Sequence, residues 1–336
     1  MSRFTGGESR NHDCALVDSY SLSNDPNSRC FRDMTVMIPL RIGTRGSPLA
    51  LAQAEMVRRR LSPAPSELVV IKTSGDLLLD RSLADAGGKG LFTKEIDEAL
   101  LECRVDLAVH SLKDVPTWLP DGIVLAAVLE REDPRDAFIS LKARHLKDLP
   151  PGAVVGSASL RRQAQILHRR PDLKVALLRG NVETRLRKLN EGAVDATLLA
   201  LAGLKRLGRA DAATAILETD EILPAVAQGA IALACRADDA PVRERLAALD
   251  HAATNAEVTA ERALLEVLDG SCRTPIAALA RIAGDRLAIL GLVAKPDGSR
   301  VVSGAGEGAR ADAARIGRDL GRYLRAEAGP GFLPGF

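Results

Sequence analysis

Residues 109–116 bring together side chains suited to acid–base chemistry and anion binding. They include His110, Ser111, Lys113 and Asp114. The apolar run just before them predicts a buried strand, and Pro116 disfavours a helix at the residue that precedes it. An irregular turn should therefore follow the strand, at the edge where open α/β sheets bind ligands. Asp114 is a candidate general acid or base there, and the alternative is that its carboxylate only caps the turn.

Cys272 is a second candidate, because it lies in a loop between a predicted helix and a predicted strand. The neighbouring Arg273 favours the reactive thiolate form of such a cysteine. Cys103, by contrast, falls on the apolar face of a predicted helix and is expected in the core. A cysteine-dependent hydrolase would need a His beside Cys272, and His110 is the one His that lies within a motif.

Arginines recur at predicted strand ends and helix starts, which form the rim of an inferred cleft. The set comprises Arg45, Arg161, Arg162, Arg179, Arg185 and Arg236. Because a guanidinium binds carboxylates or phosphates through two parallel hydrogen bonds, the cleft should accept a ligand with several such groups. A solvated helix face is the alternative explanation for the pair Arg161-Arg162. The chain has neither a Walker A nor a GxGxxG sequence, which disfavours a nucleotide.

The composition is typical of a globular protein that acts on small molecules. The 336 residues carry a net charge of +2 and 3% aromatic residues, so neither charge nor base stacking favours a nucleic acid. No apolar run reaches the length of a membrane span. The five cysteines lack the spacing of metal ligands, so we expect no metal and a reducing, cytoplasmic compartment.

Hydrophobic periodicity divides the chain into a tail and three folded parts. Residues 1–37 are polar and lack a period, which predicts a disordered N-terminal extension. Strands and helices then alternate in two α/β patterns, joined by the polar segment 130–135, where the chain should cross between lobes. The predicted domains are residues 38–130 plus 226–248, residues 131–225, and a small α+β domain over residues 249–336.

Both α/β patterns open alike, with a strand, a glycine, hydroxyl residues and the start of a helix. The two segments are residues 42–47 and 155–159. Two helix N-termini would then face one cleft, and free N–H groups at helix N-termini bind anions. Since any two α/β units can begin alike, this similarity supports an anion site without establishing one.

Several motifs occur in the order typical of the porphobilinogen deaminase (hydroxymethylbilane synthase) family, which the chain resembles from about residue 40 to about residue 328. They are Gly43-Thr44-Arg45 with Ser47-Pro48-Leu49-Ala50, Gly87-Gly88-Lys89-Gly90-Leu91-Phe92, His110-Ser111-Leu112-Lys113-Asp114-Val115-Pro116, Ser159-Leu160-Arg161-Arg162, Leu178-Arg179-Gly180-Asn181, Gln228-Gly229 and Gly270-Ser271-Cys272. Gly46 and Ser271 depart from the usual family pattern, and neither takes part in the chemistry. The tail is not covered by the resemblance.

The resemblance implies an α/β fold with two periplasmic-binding-protein-like lobes, a cleft between them, and a small C-terminal α+β domain. It implies a transferase of tetrapyrrole and haem biosynthesis, which joins four porphobilinogen molecules head to tail with loss of ammonia and releases hydroxymethylbilane by hydrolysis. The growing chain is built on one dipyrromethane cofactor, held by a thioether at Cys272. A monomer that can hand its product to the next enzyme of the pathway is expected.

The resemblance also assigns roles to residues, with Asp114 as the catalytic carboxylate that stabilises a cationic azafulvene. The cofactor-binding set is Cys272, Lys113, Ser111, Asp114, Ser157, Ser159, Arg161, Arg162 and Arg185. The substrate-binding set is Arg45, Ser47, Arg179, Gln228 and Arg236, and the lid carries Lys89 and Phe92. The alternative is a non-enzymatic two-lobed anion-binding protein, which would keep the arginines but would not need Cys272.

Overall fold

Strands and helices alternate along the chain, and the computed structural model describes residues 39–77, 90–268 and 274–332. The strands are β1 (Leu40–Arg45), β2 (Ser66–Ile71), β3 (Leu107–Ser111), β4 (Ile123–Val128), β5 (Asp136–Ser140), β6 (Val154–Gly156), β7 (Lys174–Ala176), β8 (Ala196–Ala200), β9 (Ala215–Leu217), β10 (Ile231–Arg236), β11 (Ile276–Ala283), β12 (Arg286–Ala294) and β13 (Val301–Ala309). The helices are α1 (Pro48–Arg60), α2 (Ser74–Leu77), α3 (Lys94–Leu101), α4 (Leu160–Arg169), α5 (Val182–Asn190), α6 (Leu201–Arg206), α7 (Ala240–Ala247), α8 (Ala252–Val267) and α9 (Ala313–Ala328). None of these helices is long and apolar enough to span a membrane.

Two five-stranded sheets share one topology. Their strand orders are β2-β1-β3-β10-β4 and β7-β6-β8-β5-β9. In each sheet the fourth strand runs antiparallel to both its neighbours, and the first three strands are parallel. That antiparallel strand is the one that arrives from the other sheet, since β5 follows β4 and β10 follows β9. Two crossovers therefore connect two α/β lobes.

A third sheet of three antiparallel strands, β11-β12-β13, packs against α8 and α9. The apolar faces of the two helices meet over this sheet through Leu264, Leu320 and Leu324, all buried. Close approach of the helices requires Gly317, since a Cβ there would collide with the Ala260 carbonyl. The predicted fold class, two α/β lobes plus a small C-terminal α+β domain, is confirmed. The exact domain limits given above stay a prediction.

The helix starts agree with the sequence because their caps are local. Ser47 accepts a hydrogen bond from the Ala50 N–H at 3.3 Å and Pro48 opens α1, as expected for a serine N-cap followed by proline. Asn181 caps α5 in the same way through the Thr184 N–H at 2.9 Å.

Three local expectations need correction. The sequence does not predict β5, a short run that begins with the charged Asp136. Strand β13 extends to Ala309. The sequence does not reveal this length, because residues 304–309 alternate glycine with other residues and so lack an apolar signal. Cys103 lies beyond the end of α3 with a positive φ of 53° and is half-buried, so it is not a core residue of that helix.

A single carboxylate ties the C-terminal domain to both crossovers. Glu261 on α8 is fully buried and accepts hydrogen bonds from both terminal nitrogens of Arg131, at 2.6 and 3.1 Å. It also accepts the backbone N–H groups of Ala227 and Ala280, at 2.6 and 2.8 Å. Arg131 lies on the first crossover and Ala227 on the second, so α8 anchors both connections between the lobes.

Replacing Glu261 by Gln should destabilise the protein, because the buried Arg131 guanidinium would lose its two shortest carboxylate contacts and keep the longer one to Glu257, at 3.6 Å. Removing one partner of a buried pair costs about 3–5 kcal/mol, so the urea midpoint of unfolding should fall. The matched control is Glu307→Gln, whose ion pair with Arg286 has side chains 71% and 64% exposed and should contribute about 0–1 kcal/mol. Equal midpoints for the two variants would contradict the anchoring role.

Candidate active site

The turn after β3 carries the residues singled out first. Leu112–Asp114 form one turn of 3-10 helix, closed by a hydrogen bond from the Val115 N–H to the Leu112 carbonyl. Leu112 is buried, while Lys113 and Asp114 are half-buried at the sheet edge. In the part of the chain that the structure describes, no backbone N–H of the turn donates to the Asp114 carboxylate. This counts against a simple capping role, and the catalytic role stays a prediction.

Five predicted site residues of the first lobe line a cavity of about 70 Å³. These are Arg45, Ser47, Phe92, Ser111 and Asp114. The Arg45 guanidinium lies 4.2 Å from the centroid of the Phe92 ring, which is a cation–π contact. His110 also lines the cavity, and burial together with the charge of Arg45 lowers the pKa of His110 to about 4, so the imidazole is neutral at pH 7.

Gln53 is a site residue that sequence reasoning missed. It lies on the buried face of α1 and its Nε2 is 2.9 Å from the Ser111 hydroxyl. The helix thereby fixes the side chain at the end of β3. The sequence did offer a signal for Gln53, since a polar amide stands on the apolar face of a predicted helix.

The second lobe contributes a cluster of cations. Burial and the nearby charges of Arg162 and Arg179 lower the pKa of Arg185 to about 10, and Asp114 of the first lobe opposes that shift. The Arg185 Nε donates to the Gly180 carbonyl at 2.8 Å. Arg179 has one terminal nitrogen that is buried without a hydrogen-bond partner among the described residues. An unpaired buried donor beside like charges is suited to an anionic ligand.

Asp136, at the start of β5, is the counter-charge that sequence reasoning missed. Its fully buried carboxylate accepts hydrogen bonds from Arg161 and Arg162, each with a shortest distance of 2.8 Å. Although burial opposes ionisation, the two arginines hold the pKa of Asp136 well below its usual range. Each arginine also donates to a backbone carbonyl, Leu223 for Arg161 and Leu198 for Arg162. Their proposed contact with a cofactor is therefore additional to a structural role.

Gln228 links the two lobes at this point. Its amide nitrogen donates to Asp136 at 2.8 Å, and its oxygen lies 3.2 Å from the Lys113 ammonium. Burial lowers the pKa of Lys113 to about 8, against the opposing effect of Asp114. The cations of the second lobe therefore lie close to the turn that carries Asp114.

Ser157 and Ser159 lie at the start of α4, as predicted. The Ser157 hydroxyl accepts the Ser159 N–H at 3.1 Å, and Ser159 caps the helix through the Arg162 N–H at 3.4 Å. Both hydroxyls are therefore held at a helix N-terminus, next to the arginine pair.

The prediction for Arg236 is wrong. Arg236 donates to the Leu100 and Val105 carbonyls, at 3.1 and 2.7 Å, and pairs with Asp239. Because β10 runs antiparallel to β3, Ile231 lies opposite Ser111 while Arg236 lies at the other end of the strand. Five residues at about 3.4 Å each separate it from the site edge by roughly 17 Å.

Two predicted residues, Cys272 and Lys89, lie outside the described residues. Helix α8 ends at Val267, five residues before Cys272 along the chain. Within residues 39–77, 90–268 and 274–332, no group of His, Cys, Asp and Glu side chains is arranged to hold a metal ion.

Comparison with known proteins identifies related chains. The family model "Porphobilinogen deaminase, dipyromethane cofactor binding domain" matches residues 40–244, and "Porphobilinogen deaminase, C-terminal domain" matches residues 255–326. The chloroplastic porphobilinogen deaminase of Oryza sativa is 58% identical over 305 residues, covering 88% of this chain and 85% of the relative.

Bacterial relatives match equally well. The porphobilinogen deaminase of Nitrobacter hamburgensis is 59% identical over 298 residues, covering 87% of this chain and 94% of the relative. Among solved structures, the methionine binding protein MetQ aligns at 14% identity with a TM-score of 0.40, covering 62% of this chain and 89% of that one. The family models and the identities show that this chain belongs to the porphobilinogen deaminase family.

Proposed function

We propose that the chain is a hydroxymethylbilane synthase, a transferase that joins four porphobilinogen molecules head to tail and releases ammonia and hydroxymethylbilane. The observation that carries the proposal is that one carboxylate of the first lobe, Asp114, lies close enough to the cations of the second lobe to affect the charge of Arg185. Each pyrrole of the substrate bears an acetate and a propionate, so a growing chain needs many cationic partners. Release of ammonia from porphobilinogen by the purified protein is the direct test.

The residues present fit a dipyrromethane cofactor, one per chain. When bound, this group supplies a covalent primer on which the pyrrole chain is extended. The unpartnered buried nitrogen of Arg179, with Arg185 and Lys113 nearby, is the structural feature that suits several carboxylates. We assign the primer to Ser111, Lys113, Asp114, Ser157, Ser159, Arg161, Arg162 and Arg185, with the thioether at Cys272. We assign the substrate to Arg45, Ser47, Arg179 and Gln228, and the lid to Lys89 and Phe92.

Asp114 acts on the porphobilinogen that enters the site. Loss of ammonia from this molecule leaves a cationic azafulvene, which a carboxylate stabilises and which exchanges a proton at the pyrrole nitrogen. His110 stays neutral at pH 7 because burial and Arg45 lower its pKa to about 4, so it adds no charge that would repel this cation. Lys113 and the arginines hold carboxylates and so fix the position of the ring.

A non-enzymatic anion-binding protein is the disfavoured alternative, since it would need neither Asp114 nor Cys272. We propose that the protein is a cytoplasmic monomer. The buried Cys235 is a free thiol of the kind that persists in a reducing compartment, and the monomer is what the family resemblance implies. Membership of the family supports porphobilinogen as substrate and leaves the product hand-off as part of the proposal.

Asp114→Asn should lower the rate of ammonia release about a hundredfold or more, since it removes the charge that stabilises the cation. Asp114→Glu keeps the charge and should retain measurable activity. Single-turnover ammonia release measures both rates. The chain provides a matched control, Asp148→Asn, in a second Leu-Lys-Asp turn over Leu146–Asp148, whose Lys147 and Asp148 are exposed. An Asn variant faster than the Glu variant would show that Asp114 only caps the turn.

Cys272→Ala should give a folded protein without attached cofactor, because no other thiol is assigned to the thioether. The intact mass of the wild type should exceed its sequence mass by two pyrrole units, and the variant should lack this increment. Cys103→Ala is the control and should keep it. Retention of the increment by the Cys272 variant would refute the assignment.

Activity should depend on the protonation of Lys113. Burial lowers the pKa of this ammonium to about 8, so the charge that attracts carboxylates is present below pH 8 and is lost as pH rises through it. On the alkaline side, kcat/KM should therefore fall near pH 8. Lys113→Arg should move this fall to higher pH, because a guanidinium stays protonated. Lys147→Arg, in the exposed copy of the turn, should leave the fall in place. An unchanged fall in the Lys113 variant would contradict the assignment.

A further inference from the structure

The turn that carries Asp114 is packed on one side and borders a cavity on another. A cavity of about 280 Å³ lies between this turn and the C-terminal domain. Leu112 and Thr117 line one side of the cavity, and Val258 and Ala314 of the C-terminal domain line another. Leu112 and Val115 are buried in the core, whereas side-chain packing does not fill the side of the turn that faces this cavity.

Arg262 on α8 crosses this gap to the turn. Its guanidinium donates to the Val115 carbonyl at 3.0 Å and to the Pro116 carbonyl at 2.6 Å, with a longer contact of 3.4 Å to the Thr117 carbonyl. These carbonyls directly follow Asp114 in the chain. A planar guanidinium that bonds successive carbonyls fixes both the position and the orientation of the backbone.

The same helix leads to the cofactor thiol. Helix α8 ends at Val267, five residues before Cys272, and Glu261 beside Arg262 anchors that helix to both crossovers. A shift of α8 would therefore displace the catalytic turn, and α8 is the last described helix before Cys272 in the chain.

We propose that Arg262 is a positioning residue, which holds the Asp114 carboxylate in register with the pyrrole chain attached at Cys272. This inference rests on the proposed function and deepens it. Arg262 does not contact the reacting atoms in this account; it acts through the backbone of the turn. Since misplacement of a catalytic group by about 1 Å can cost a hundredfold in rate, loss of this contact should lower kcat while the anion-binding residues keep KM nearly constant.

The test is to compare Arg262→Ala with Arg300→Ala in the full-length protein loaded with its cofactor. Arg300 is a matched control in the same domain, where its guanidinium donates to the Glu327 and Ala328 carbonyls, at 2.9 and 3.2 Å, at the end of α9. Intact mass spectra first establish that both variants carry the cofactor. We expect Arg262→Ala to lose about ten- to hundredfold in kcat, with KM within about threefold of the wild type, and Arg300→Ala to keep both.

Added guanidinium ion provides a readout that a general loss of stability would not move. Millimolar guanidinium should restore part of the kcat of Arg262→Ala and leave Arg300→Ala unchanged. Arg262→Lys keeps the charge but not the planar fork, and its kcat should lie between those of the wild type and Arg262→Ala. If Arg262→Ala fails to fold, the lowered kcat of Arg262→Lys tests the positioning role instead.

A kcat within twofold of the control, or absence of guanidinium rescue, would overturn the positioning role while an active wild type leaves the proposed function intact. A loss of activity that matches loss of attached cofactor would also overturn it, because Arg262 would then serve attachment instead. A wild type that carries the cofactor and releases no ammonia from porphobilinogen would overturn the proposed function, and this inference with it.

Discussion

The site depends on the burial of several positive charges at the junction of two lobes with one fully buried carboxylate between them. Asp136 neutralises part of this charge through Arg161 and Arg162. Burying charges is costly unless they are paired and hydrogen-bonded. Burial lowers the pKa of Arg185 to about 10 and that of Lys113 to about 8. An anionic ligand would supply counter-charge to these buried cations, so the cleft suits a ligand with several carboxylates.

This arrangement explains why the chain uses two lobes and a third domain. The parallel strands of the first lobe place Asp114 at their carboxyl edge. The second lobe provides cations, so the first lobe does not have to hold all of these mutually repelling charges. Gln228, on the second crossover, hydrogen-bonds to groups of both lobes. Glu261 then holds both crossovers from the C-terminal domain. Changes in the relative position of the lobes would therefore alter the charge around Lys113.

Sequence reasoning found what local chemistry determines. Helix starts at Ser47 and Asn181 follow from caps within three residues, and the Asp114 turn follows from an apolar run that meets a proline. Asp136 was missed because its partners, Arg161 and Arg162, lie 25 and 26 residues away in the chain, and no local pattern connects them. Arg236 was misplaced because an apolar run does not reveal strand direction, and an antiparallel β10 sends its carboxyl end away from the site.

The central claim is that the cation cluster binds the carboxylates of a pyrrole chain. The most direct measurement is calorimetric titration of the Cys272→Ala protein with a free dipyrromethane that carries two acetates and two propionates, alongside its tetramethyl ester. The two ligands share the dipyrromethane skeleton, and the ester lacks the four negative charges. We expect the acid to bind at least about a hundredfold more tightly than the ester, since two or more charge-assisted hydrogen bonds of about 1.5–3 kcal/mol each are lost. The affinity of the acid should also fall with added salt. Equal affinities for acid and ester would contradict it.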